Sequence, residues 1–115
     1  PRFNPDVNLG TGTIEDHKHW EGVIDRFKYD IQQFDFAGRS LDVRENIKFK
    51  GGYFATWIHQ KYGKHACVLS VEFKKFFMDE WSGRPDRDRI ELIRQLLALT
   101  IPGLLEELKK IGAKL

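Results

Sequence analysis

Apolar residues recur at helical spacing in two stretches of the chain. Trp20, Ile24, Phe27 and Ile31 stand three or four residues apart, with Lys18, Glu21, Asp25 and Lys28 between them. That pattern predicts an amphipathic helix with one inward stripe. Gly10-Thr11-Gly12-Thr13 prepares it, with Thr13 as the expected N-cap and Asp16 three residues later as an acidic version of the capping box. A second helix is predicted from about Asp86 to the end on Ile90, Ile93, Leu97, Leu104, Leu108 and Ile111. Pro102 lacks a backbone donor and is expected to split or kink it, with Gly103 loosening the same point.

The segments between read as strands and one short helix. Val7-Asn8-Leu9 predicts a short strand before the glycine turn, and Leu41 to Arg44 and Ile47 to Phe49 alternate as edge or half-exposed strands do. Ala66-Cys67-Val68-Leu69-Ser70-Val71-Glu72-Phe73 is nearly continuous in apolar character, which predicts a central strand buried on both faces. Tyr53 to Tyr62, after Gly51-Gly52, predicts a short helix with Trp57 and Ile58 inward. The order of elements points to a layered α/β unit, a sheet with flanking helices.

Composition narrows the function classes. The 115 residues amount to one domain, and 41% hydrophobic residues suffice for a core. A net charge of +2 from 19 basic and 17 acidic residues excludes the strong field of a nucleic-acid binder. Lys48, Lys50, Lys61, Lys64, Lys74 and Lys75, with Tyr53 and Trp57 for stacking, would be the elements of such a surface, but the acids balance them. The single cysteine, Cys67, excludes an internal disulfide and a thiolate zinc cluster and makes a cytoplasmic setting the default. No apolar run approaches the roughly 20 residues of a membrane span. Pro1 to Pro5 carries no signal-peptide pattern, and a start at Pro1 suggests a trimmed piece of a longer protein.

Glu72 is the residue that fits its surroundings least. It closes the most apolar run, where an ionised carboxylate is costly unless it is paired or reaches a cleft. At the carboxyl end of a strand in an open α/β sheet it would face the usual ligand crevice and could serve as a general base or acid. The plainer alternative is an ion pair with Lys74, Lys75 or an arginine across the sheet.

Several pieces together resemble the N-formylglutamate amidohydrolase family. They are Pro5 to Gly12, Asn46-Ile47-Lys48-Phe49-Lys50-Gly51-Gly52-Tyr53, His59 to Gly63, and Leu69 to Glu80 with its Phe77-Met78-Asp79-Glu80 ending. The stretch from Glu72 to Gly83 is similar to a subgroup fused to a gluzincin-like domain in bacterial proteins. The resemblance implies the C-terminal portion of a domain with a fold similar to the zinc carboxypeptidases (phosphorylase/hydrolase-like). It also implies zinc-dependent cleavage of an amide in a small N-acyl amino acid such as N-formyl-L-glutamate. Glu72 matches the glutamate that activates water and passes its proton to the leaving nitrogen.

In the same resemblance Arg44 and Asn46 suit the substrate carboxylate, since arginine is a two-pronged donor and asparagine a directed neutral one. Arg44 could equally be a surface strand arginine. Gly51-Gly52 could be a turn needing positive φ, a close approach to substrate, or both. His59 could touch substrate or be a partly exposed helix histidine.

The metal ligands of the family are expected in a portion preceding Pro1, so this chain alone is expected to bind no zinc and to be inert. His17 and His19 would lie about 200° apart around a helix and cannot ligate one ion together. His59 and His65 have no known zinc spacing, and His17, His19 and His65 read as surface residues. The competing expectation is a module that senses a ligand without catalysis, keeping the fold and losing the metal. The long apolar stripe after Asp86 could pack on a partner or on the missing portion of the domain.

Overall fold

The computed structural model describes residues 4–75 and 82–113. Its elements in chain order are β1 (Val7–Gly10), α1 (His17–Gln33), β2 (Val43–Glu45), α2 (Tyr53–Tyr62), β3 (Ser70–Phe73) and α3 (Arg87–Lys110). The fold is α/β, a small three-stranded mixed sheet with three helices, in strand order β2-β1-β3. β1 and β2 run parallel, joined through α1 as a β-α-β unit. β3 runs antiparallel to β1.

The alternation of side chains sorts the sheet into two faces. Val7 and Leu9 of β1, with register partners Val43, Phe73 and Val71, point into the core. There Trp20, Val23, Ile24, Phe27 and Ile31 of α1 cover them, so the stripe read from the sequence is the buried one. α3 packs along α1, and its Leu96 is fully buried in the same cluster. Asn8, Arg44 and Glu72 occupy the opposite face.

Several sequence expectations change. The central strand is β1, whereas the run from Ala66 pairs only from Ser70 and forms an edge. The reason is local: the Val68 amide donates to His59 Nε2 at 2.9 Å, which keeps it out of the sheet ladder. Ile47 to Phe49 is a loop and not a strand. α1 is capped by Asp16, whose carboxylate accepts from the His19 amide at 3.2 Å, and not by Thr13. On α2 the buried residues are Ala55 and His59, while Trp57 is exposed and Ile58 half-buried.

α3 continues through Pro102 without a break. Ala98, whose carbonyl loses its helical donor at Pro102, is exposed, so solvent can satisfy it. Gly103 is a packing notch: a Cβ there would lie 2.3 Å from Asp30 Oδ2 and 2.8 Å from Arg26 Nε. Its missing side chain admits the Arg26–Asp30 ion pair of α1. Phe76 to Trp81, including Met78-Asp79-Glu80, lies outside the described residues, as do Pro1 to Phe3 and the last two residues.

Candidate functional site

Pairing register brings two of the residues singled out from the sequence into one row. Asn8 pairs with Arg44 of β2 on one side and with Glu72 of β3 on the other. Register partners share a face, so the three side chains stand side by side, Arg44 and Glu72 two strand spacings or roughly 10 Å apart. Beside this row opens a groove of about 450 Å³ lined by Asn8, Lys48, Glu72, Phe73, Lys74 and Lys75 among others. Arg44 does not line it; its Nη2 donates to Asp42 Oδ2 at 2.9 Å.

Glu72 sits differently from the sequence expectation. Because β3 is antiparallel, its carboxyl end lies beside the start of β1 and not at the ends of parallel strands. Glu72 is also exposed, so burial costs it little. Its charged surroundings in the groove are Lys48, Lys74 and Lys75.

Asn8 builds the floor of the site. It is 2% exposed, and its Oδ1 accepts the amides of Ile47 at 2.9 Å and Lys48 at 2.7 Å. Its Nδ2 donates to the Phe49 carbonyl at 3.0 Å. One buried side chain thus replaces the strand ladder that residues 47–49 lack. Sequence reading passed over Asn8, although a polar residue between Val7 and Leu9 in a buried strand was the available signal.

Asn46 and Gly51 lie at the other end of β1. Asn46 has φ +58, and its side chain is committed to Thr11: Oδ1 accepts from Thr11 N at 2.9 Å and Nδ2 donates to Thr11 Oγ1 at 3.1 Å. The Thr11 hydroxyl donates to Glu45 Oε1 at 2.7 Å, and Lys28 Nζ donates to Glu45 Oε2 at 3.0 Å. Burial pushes the Glu45 carboxyl up, but these two hydrogen bonds outweigh it and hold it below the ordinary carboxylate range.

Gly51 adopts φ +120, and a Cβ on Gly10 would lie 2.9 Å from the Gly51 nitrogen. Two backbones therefore meet here without room for side chains. Gly52 is the exposed N-cap of α2, with open space around it.

His59 is 1% exposed and not a partly exposed helix residue. Its Nε2 accepts from the Val68 amide, so the ring hydrogen sits on Nδ1 and donates to Thr13 Oγ1 at 2.9 Å. Both nitrogens are occupied within the protein. This contact also explains why Thr13 does not cap α1. His17 and His65 are exposed, and His19 stacks edge-on against Trp20.

The structure thus gathers Arg44 and Glu72, sets Asn46 and Gly51 together at the end of β1, leaves Gly52 outside, and buries His59 behind Thr13. Zinc does not fit the residues described. Among them no three His, Cys, Asp or Glu side chains converge, and the one buried histidine has no nitrogen left to ligate. Among the described residues no helix is long and apolar enough to cross a membrane.

No family model, curated protein or solved structure matches the chain.

Proposed function

We propose that the chain is the C-terminal portion of an amidohydrolase of the N-formylglutamate amidohydrolase type, cytoplasmic and acting on a small N-acyl amino acid such as N-formyl-L-glutamate. The observation that supports this reading is the row Arg44–Asn8–Glu72 on the face of the sheet away from the core, beside an open groove. The backbones of Arg44 and Glu72 stand two strand spacings, roughly 10 Å, apart on that face, and Glu72 faces the groove.

In this reading Glu72 takes the proton of the attacking water and delivers it to the departing nitrogen. Water adds to the acyl carbon, the carbon–nitrogen bond breaks, and a free carboxylate and amine result. Arg44 contributes positive charge on the same face. Asn46 and Gly51 act one step back, by holding the end of β1 against the 46–51 segment through Thr11 and Gly10. His59 holds Val68 just before β3 and so steadies the strand that carries Glu72. Any zinc is assigned to a part of the protein outside this chain.

The test is hydrolysis of N-formyl-L-glutamate by the longer protein that carries this chain, with and without Glu72→Gln. The expected result is a fall in kcat of about 10²- to 10⁴-fold with ligand affinity changed by less than about threefold. Ligand binding without turnover in either protein would instead favour the sensing module. Turnover unaffected by the substitution would remove Glu72 from the chemistry.

A further inference from the structure

By donor chemistry Arg44 and Asn46 suit the substrate carboxylate, but both side chains are already engaged. Asn46 spends its amide on Thr11, and Arg44 bonds to Asp42 and lies outside the groove. Among the described residues the groove presents Lys48, Lys74 and Lys75 around one carboxylate, Glu72. Among the described residues no ion pair uses any of these lysines.

Lys48 and Lys74 both have anchored backbones, Lys74 through its amide to the Asp6 carbonyl at 2.8 Å, but only Lys48 is held by a side chain of the Arg44–Asn8–Glu72 row. The Lys48 amide donates to Asn8 Oδ1 at 2.7 Å, and the next carbonyl, of Phe49, accepts from Asn8 Nδ2 at 3.0 Å. Asn8 is buried between Arg44 and Glu72, so the Lys48 backbone is fixed to the same row that carries the Glu72 carboxylate. The exposed lysine side chain then stands over the groove from a rigid base. The volume of about 450 Å³ falls within the range usual for small-molecule sites.

We propose that this groove binds a small molecule through its carboxylate, with Lys48 as the residue that selects it. The proposal deepens the reading of Glu72 above and rests on it for the choice of ligand. Lys48 and Glu72 would then hold opposite ends of one molecule: the ammonium its carboxylate, the glutamate its amide. Charge neutralisation of this kind strengthens as the ligand displaces water from the groove and weakens with added salt.

The experiment is calorimetric titration of the full chain with N-formyl-L-glutamate at low salt. Lys48→Met is expected to raise Kd by about tenfold or more, since a hydrogen bond to a charged group is lost. Lys48→Arg should stay within about threefold of the original, and Arg44→Met should cost less than Lys48→Met. Added salt should weaken the original chain more than Lys48→Met. Because Lys48 is exposed, its replacement leaves the fold intact, which the melting temperature verifies. Three results would each overturn the proposal: no saturable binding at millimolar ligand, no loss in Lys48→Met, or a larger loss in Arg44→Met. Carboxylate binding through Lys48 without turnover by the longer protein would leave this site standing and remove the hydrolase reading. Turnover with an unchanged KM in Lys48→Met would do the reverse.

Discussion

Arg44 and Glu72 share a single register partner, Asn8, and stand on the same face of the sheet on either side of it. β2 and β3 do not pair with each other, so the backbone spacing of the two residues is set by β1 between them. β1 is also the most buried strand, with Val7 and Leu9 fully enclosed. The packing of α1 against β1 therefore anchors the strand between the two backbone positions on the far face. Core and candidate site are two sides of one four-residue strand.

Asn8 is expected to be among the costliest polar residues to replace. Asn8→Leu keeps the volume but strips partners from the Ile47 and Lys48 amides and the Phe49 carbonyl. Leaving such groups unpaired should cost about 3 kcal/mol. A urea titration reads this as a lower midpoint at unchanged slope. A loss below about 1 kcal/mol would show that residues 47–49 find other partners.

How far the sequence foretold this arrangement depends on the range of the interaction. The inward stripe of α1 was legible because Trp20, Ile24, Phe27 and Ile31 repeat at helical spacing and are all buried. The cap was misread because the Thr13 hydroxyl is claimed by His59, forty-six positions away. The run from Ala66 has the composition of a central strand, yet the Val68 amide turns to His59 and the ladder begins only at Ser70. α2 misled for another reason. Trp57 and Ile58 suggest an inward apolar face, but Trp57 is exposed and Ile58 half-buried, and the buried positions are Ala55 and His59. Arg44 and Glu72 stand out by residue type, and Asn8 is marked only as a polar residue between Val7 and Leu9, whereas Lys48 matters through contacts that no local pattern encodes.

The paired glycines should respond differently to substitution. Gly51 has φ +120, and a Cβ there would lie 3.0 Å from Thr13 Cγ2. Gly51→Ala is expected to cost about 1–3 kcal/mol from backbone strain. Gly52 has φ −103 at the N-cap of α2 with open space around it. Gly52→Ser should be neutral or slightly stabilising, since serine can cap the helix. Equal denaturation midpoints for the two variants would contradict the assigned backbone geometry.

The His59 ring is expected in the tautomer with hydrogen on Nδ1. The Val68 amide can donate only to a bare Nε2, and Thr13 Oγ1 then accepts from Nδ1. Long-range nitrogen–proton correlation spectra at neutral pH distinguish the two forms directly. His59→Leu should destabilise the chain by about 1–3 kcal/mol by leaving the part-buried Val68 amide without its acceptor. A ring protonated on Nε2 would break the link between α2 and the entry to β3.

Cys67 makes the alkaline side of stability testable. Burial pushes its thiol up to about 11 from an ordinary 9.0. The folded chain therefore keeps a proton that the unfolded chain releases. With more protons bound in the folded state, stability falls as pH rises above the unfolded value, and the fall ends near the folded one. Stability should decline from about pH 9 to about pH 11, and Cys67→Ala should flatten that part of the profile. Reactivity gives a second reading of the same group. At pH 8 a shift from 9.0 to about 11 lowers the thiolate fraction roughly a hundredfold. Alkylation by iodoacetamide should accordingly be at least that much slower in the folded chain than in urea. Equal rates in the two states would show that the thiol is neither buried nor perturbed.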